Sequence, residues 1–294
     1  MLEKIRYLTE AFFVKVFFHI FHVMPFQTAS GIGSFLGKKI GPLLSVNKTA
    51  HRNIQRAFPN FTEEDITKTI EGMWDNLGRT VAEFPHMQTI KGAQLDNLVI
   101  FEGLENIDKA KETNCPIIFF SGHFSNWEMV PKTMYEKGCP STIVYRKSNN
   151  PYVDKMILTV RNNYQKGAIP KGPIGAKQLL KAILAKEPVG ILVDQKQNDG
   201  IAVPFFGHEA MTASAVAKLA LRYDCVLIPI RTFRIDKCSF KTIVSPPLEL
   251  QKTEDGDKDI LTLMTTINSL FENWIREYPS QWFWVHNRWS DKRN

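Results

Sequence analysis

A chain of 294 residues, 44% of them hydrophobic, can bury one large core or two modest ones, and a single α/β domain with a helical N-terminal extension suits that length. Lys and Arg number 37 against 30 Asp and Glu, a net charge of +7 with a pI near 9.1. That favours an anionic partner such as a bilayer surface, an acidic carrier protein or a phosphorylated substrate, whereas the basic residues come singly or in pairs such as Lys38-Lys39, without the tract or motif of a nucleic-acid binder.

Residues 11–26, AFFVKVFFHIFHVMPF, are too apolar for an ordinary surface helix. A secretory signal needs small residues at a cleavage site, which Met24-Pro25-Phe26 does not supply. A membrane span needs about 20 predominantly apolar residues, more than this interrupted run contains. Lys15, His19 and His22 follow at i, i+4 and i+7, with Lys4 three turns before Lys15, so they form one narrow polar stripe on a helix otherwise covered by Phe, Val, Ile and Leu. Such a helix lies in the headgroup region, or spans shallowly with Lys15 reaching the interface; a helix packed on the domain with its stripe wet is the alternative.

Thr62 followed by Asp65 reads as a helix N-cap, and Ile66, Ile70, Met73, Trp74, Leu77, Val81 and Phe84 recur behind it at helical spacing. From about residue 98 the short apolar runs Leu98–Phe101, Pro116–Phe120, Thr142–Tyr145, Val189–Val193 and Val226–Ile230 alternate with amphipathic segments such as Ile174 to Lys186. That alternation predicts an α/β core around a partly parallel sheet. Phe240–Val244 and Trp282–Val285 are expected to add strands, with a helix between them that carries Ile260, Leu263, Met264, Ile267, Leu270, Phe271 and Trp274. The expected organisation is a membrane-associating helix over 1–26, a helical segment over 27–97 and an α/β catalytic domain over 98–294. The four cysteines, Cys115, Cys139, Cys225 and Cys238, are far apart with no CxxC pair, and so read as reduced core thiols of a cytoplasmic compartment, with no metal site.

The chemistry-bearing stretch is Ser121-Gly122-His123-Phe124-Ser125-Asn126-Trp127-Glu128. It follows the apolar run Pro116–Phe120, which places His123 just beyond the carboxyl end of a strand, where open α/β sheets hold their ligands. With Ser125 or Asn126 capping the next helix, Glu128 falls in its first turn, and the loop can fold the imidazole back against that carboxylate. Glu128 then fixes the tautomer of His123, whose other nitrogen takes a proton from an attacking hydroxyl. A plain alternative is that Ser125-x-x-Glu128 is a capping box without catalysis. The spacing is also cheap: with 7 His and 30 acidic residues in the chain, a chance match is expected, and His286 with Asp291 supplies a second one.

His-Phe-x-x-Trp-Glu after an apolar strand resembles the lipid A biosynthesis (late, Kdo-dependent) acyltransferases, relatives of the bacterial glycerolipid acyltransferases. The resemblance takes in Asn53 with Ala57-Phe58-Pro59, Tyr145-Arg146 with Asn150-Pro151, Arg161, the strand ending in Asp194-Gln195, Val203-Pro-Phe-Phe-Gly207 with Thr212, Arg234, Pro246-Pro-Leu-Glu249, and Pro279-x-Gln281-Trp-x-Trp284-Val-His286-x-Arg288. It implies a mixed sheet flanked by helices, like that of the glycerolipid acyltransferases, with a membrane-directed helical extension. It also implies cofactor-free transfer of an acyl chain from acyl carrier protein to a hydroxyl of a phosphorylated, Kdo-bearing lipid A precursor, at the cytoplasmic face of the inner membrane.

Further candidate residues follow from it. Arg161, in an expected helix from Pro151 to Tyr164, can hold a phosphate or carboxylate or steady an oxyanion, or be a surface arginine. Asp194 can pair with Arg161, orient substrate alongside Gln195, or be purely structural; Arg146, at a strand end, is an anion-binding candidate. Pro204-Phe205-Phe206-Gly207 reads as a loop wall against an acyl chain or as a turn with buried aromatics. His286 reads as a structural histidine, and Trp282, Trp284 and Trp289 as packing residues or a headgroup-level belt. Two other functions remain open to the sequence: an acyltransferase acting on a glycerophospholipid or another glycolipid, and a non-enzymatic membrane-binding protein.

Overall fold

A computed structural model describes residues 2–289 of the chain. The chain enters through four helices, α1 (Leu2–Val23), α2 (Phe26–Ile40), α3 (Asn47–Ala57) and α4 (Glu63–Glu83), and a single turn, α5 (Ala93–Asp96). Strands and helices then alternate: β1 (Val99–Glu102), α6 (Leu104–Glu112), β2 (Ile117–Ser121), α7 (Met129–Glu136), β3 (Thr142–Tyr145), α8 (Pro151–Arg161), β4 (Gly167–Pro170), α9 (Pro173–Leu184) and β5 (Val189–Leu192). A hairpin of β6 (Lys196–Phe205) and β7 (His208–Thr212) precedes α10 (Ala215–Tyr223), β8 (Val226–Asp236), β9 (Ser239–Val244) and α11 (Gly256–Glu277).

The main sheet has seven strands in the order β1-β9-β8-β2-β5-β3-β4. The run from β8 to β4 is parallel, while β9 turns back antiparallel on β8 and carries β1 parallel to itself. Parallel strands covered on both faces read as unbroken apolar runs, and β2, Ile-Ile-Phe-Phe-Ser, is buried at every position. One face packs Ile118 and Phe120 against Ile183, Ala217, Met264 and Phe271. The other packs Ile117, Phe119 and Ile228 against Ile107, Ala110 and Met134.

The N-cap expected at Thr62 is a reciprocal capping box. Thr62 Oγ1 accepts from the Asp65 N–H at 3.2 Å, and the Thr62 N–H donates to Asp65 Oδ2 at 2.9 Å. Helices α2 and α4 cross on glycine: a Cβ on Gly78 would stand 2.1 Å from the Gly33 carbonyl oxygen, and one on Gly37 would stand 2.2 Å from that of Trp74. Backbones so close leave no room for a side chain. At the C-terminal end of α4 the fully buried Glu83 accepts from Arg234 Nη1 at 2.7 Å and Nη2 at 3.0 Å, from Ser30 Oγ at 2.7 Å and from Asn126 Nδ2 at 2.8 Å. The helical layer, strand β8 and the loop after β2 are thereby joined through one carboxylate.

Helix α1 lies on the body through Phe17, Phe18 and Phe21, which pack against Ala29, Ala82 and Phe84. Lys15 and His19 stay exposed while His22 Nδ1 lies 3.1 Å from the Pro85 carbonyl oxygen, so the polar stripe is wet along most of its length. Leu8, Phe12, Phe13, Val16, Ile20 and Val23 are exposed as well. Among the described residues no helix is long and apolar enough to cross a membrane.

One expectation is corrected, and two open alternatives are decided. Trp282–Val285 is not a strand: its one ladder contact is an isolated bridge between Phe124 and Trp282, and the indole N–H groups of Trp282 and Trp284 bond instead to Asp194 and to the Pro279 carbonyl. All three C-terminal tryptophans are buried, so they pack and form no belt. Of the two readings of Pro204–Gly207, the turn with buried aromatics is the observed one: it is the end and turn of the β6–β7 hairpin, with Phe205 and Phe206 buried. There Phe206 (φ 51°) and Gly207 (φ 72°) take the left-handed pair of angles that a two-residue hairpin turn requires.

Candidate active site

The strand β2 ends at Ser121, and Gly122 turns the chain where space is short: a Cβ there would stand 3.1 Å from the Asp194 carboxyl carbon. Because β2 pairs with β5, the residues just past each strand meet at the carboxyl edge of the sheet. His123 Nδ1 lies 2.8 Å from Asp194 Oδ1, the His123 N–H donates to Asp194 Oδ2 at 2.8 Å, and the Trp282 indole donates to the same oxygen at 2.9 Å. Burial alone would raise the pKa of Asp194, but the His123 charge and these hydrogen bonds outweigh it and hold the carboxyl at about 2. An ionised carboxylate only accepts, so Nδ1 carries the proton and the lone pair of Nε2 is left facing outward. Trp127 and Phe283 flank the ring, with centroids 5.2 Å and 5.9 Å away, and Gln195 Nε2 lies 3.5 Å from His123 Nε2.

Glu128, expected to orient His123, does not do so. Its carboxylate accepts from Arg161 Nε at 3.2 Å and Nη2 at 2.5 Å and from the Tyr164 hydroxyl at 2.7 Å. Burial opposes its charge, but Arg161 and Tyr164 prevail and its pKa is lowered; Tyr164, buried beside that charge, has its pKa raised and remains a donor. The physical reason is geometric. Ser125 takes a left-handed backbone, φ 49°, and its N–H donates to the Gln281 carbonyl at 2.8 Å, so the loop is stitched to the C-terminal segment and the two side chains leave it toward different partners. No capping box forms either: Glu128 is itself the N-cap of α7, without a side-chain cap bond, while its own N–H donates to Asn126 Oδ1 at 3.2 Å. Likewise Asp194 pairs with His123 and not with Arg161.

His123, Glu128, Arg146, Arg161 and Gln195 all border one cavity of about 350 Å³ between the sheet and α7, and Asp194 stands behind His123. Its rim is polar and its depth apolar, with Phe119, Met134, Ile143 and Ile230 among the lining residues. Lys171, which had no motif to mark it, also borders the rim; pairing of Tyr145 with Pro170 sets it beside Arg146, both exposed. His286 is a structural histidine. Its Nε2 accepts from the Lys196 N–H at 2.8 Å, and burial lowers its pKa to about 4. Its sequence partner Asp291 lies outside the described residues.

An α/β sheet that sets an oriented imidazole over an apolar cavity has the equipment of a group-transfer enzyme whose substrate carries a hydrocarbon. The chain belongs to the bacterial lipid A biosynthesis acyltransferase family, whose model matches residues 1–291. It is 23% identical over 266 residues to the lipid A biosynthesis acyltransferase of Haemophilus influenzae, covering 89% of this chain and 81% of that protein. It is 22% identical to the lipid A biosynthesis palmitoleoyltransferase of Escherichia coli, covering 92% of this chain and 87% of that protein. Among solved structures, the 1-acyl-sn-glycerophosphate acyltransferase PlsC of Thermotoga maritima aligns over 88% of this chain and 100% of its own, with 11% identity and a TM-score of 0.41.

Proposed function

We propose that the chain transfers a fatty acyl group from an acyl carrier protein thioester to a hydroxyl of a phosphorylated, Kdo-bearing lipid A precursor, at the cytoplasmic surface of the inner membrane. The observation that carries this reading is the His123–Asp194 pair at the mouth of the apolar cavity. The acyl chain lies in the cavity, with its carbonyl carbon beside the imidazole. His123 Nε2 takes the proton of the acceptor hydroxyl as its oxygen bonds to that carbon, and Asp194 stabilises the imidazolium. Arg161, whose Nε and Nη2 are held by Glu128, turns its remaining nitrogen to the developing oxyanion. The C–S bond then breaks, and the thiolate takes the proton back from His123.

Gln195 holds the acceptor hydroxyl next to Nε2, and Arg146 with Lys171 offers two cations to phosphate at the rim. The exposed apolar face of α1 supports a membrane-surface setting. That helix is tied to the start of α8 by Asn150, whose Nδ2 donates to the Tyr7 carbonyl at 2.8 Å and Glu10 Oε2 at 2.9 Å, so its face lies near the rim. The test is incubation of purified protein with acyl carrier thioester and the acceptor glycolipid, followed by mass spectrometry. The expected product is heavier by one acyl group, and an acceptor of unchanged mass would refute the reading.

A further inference from the structure

Phe119, Gly190 and Ile143 stand side by side on β2, β5 and β3. Side chains of one register level share a face, so these three share the face that looks into the cavity, and the middle one is missing. The space is not idle: a Cβ on Gly190 would lie 2.6 Å from Ile143 Cδ1 and 3.4 Å from Ser141 Oγ. The Ile143 side chain therefore leans over the glycine instead of standing upright in the cavity. Ser141, Phe119 and Met134, each buried, line the same region, at the end of the cavity away from His123. Arg146 and Ser141 mark its two ends along β3, about 16 Å apart at ~3.3 Å per residue.

We propose that Gly190, through the room it gives Ile143, sets the length of the acyl chain that the enzyme accepts; the inference rests on the acyl-transfer reading above. Ser141, Phe119 and Met134 bound the end of the cavity away from His123, so the room left there limits how long a chain fits. A larger residue at 190 pushes Ile143 into the cavity and favours shorter chains, while removing the Ile143 side chain deepens it and favours longer ones. A carbon gained or lost in such a pocket changes selectivity by about tenfold or more.

The experiment offers wild type, Gly190→Ala, Gly190→Val and Ile143→Ala an equal mixture of decanoyl, lauroyl, myristoyl and palmitoyl donors and reads the product ratio. Displacement of a bound fluorescent fatty acid by free acids of the same lengths reads the cavity without turnover. The expected result is a preferred length that shortens with Gly190→Val, less so with Gly190→Ala, and lengthens with Ile143→Ala, by about tenfold in each ratio. Identical preferences in all four proteins, by either readout, would overturn the inference. A length optimum in displacement without transfer to any acceptor would instead sink the acyl-transfer reading and leave the cavity's length limit standing.

Discussion

The Glu128 carboxylate receives bonds from Arg161 and from Tyr164, and so serves the guanidinium, while Asp194 serves the imidazole. Removing one partner of a buried ion pair leaves an uncompensated charge, at a cost of about 3 kcal/mol. Glu128→Gln is therefore expected to lower both the melting temperature and acyl transfer; an unchanged melting temperature for Glu128→Gln would contradict the structural part of its role. His286 supplies a pH dependence. Its pKa in the folded chain is about 4 against an ordinary 6.5, so the unfolded chain binds the proton first as the pH falls. The stability it contributes is complete above about 6.5 and is lost as the pH drops toward 4. Thermal melts across that range are expected to show this loss, and His286→Gln, which keeps an acceptor for the Lys196 N–H but does not titrate, is expected to flatten it. The local stretch around His123 was legible because a histidine after an apolar run lands at a strand's end. Its partner was not, since Asp194 lies 71 residues away and only strand order brings the two together; a nearby carboxylate at cheap spacing took its place.

Among the elements, the strands that are apolar runs, β1, β2, β3, β5 and β9, match the expected segments closely, whereas β8 runs six residues past the expected Ile230 through the polar stretch to Asp236. The misses have physical causes. Strand β6 opens with Lys-Gln-Asn-Asp-Gly and pairs with β7 outside the main sheet, β4 is only Gly-Ala-Ile-Pro, and Trp282–Val285 mimics a strand because its tryptophans are buried while their N–H groups bond outside any ladder. The glycine crossing of α2 and α4 was equally silent, since a close approach shows only when both helices are placed. Gly78→Leu is expected to force those helices apart and destabilise the fold by about 3 kcal/mol or more, in the range of other overpacked contacts. Leu at the neighbouring exposed Val81 is expected to change stability by less than ~0.5 kcal/mol. Equal melting temperatures for the two variants would show the crossing to be loose.

The molecule as a whole presents the apolar residues of α1 on a chain of net charge +7, next to the rim of the cavity. An exposed phenylalanine gains about 1.5–3 kcal/mol on burial, so replacing Phe12, Phe13 and Ile20 together by Gln is expected to weaken binding to anionic vesicles at least ~100-fold in a sedimentation assay without unfolding the body. Undiminished binding would contradict the proposed membrane role of α1. The central claim is that one proton-transfer unit, His123 held by Asp194, acts above the acyl cavity. It is tested most directly by the transfer rates of His123→Ala, Asp194→Asn and the double variant, each checked for folding by circular dichroism. Residues acting as a unit are not additive. Each single change is expected to lower the rate ~100-fold or more, with the double variant no slower than the slower single one. Full activity in Asp194→Asn, or two losses that multiply, would contradict the account.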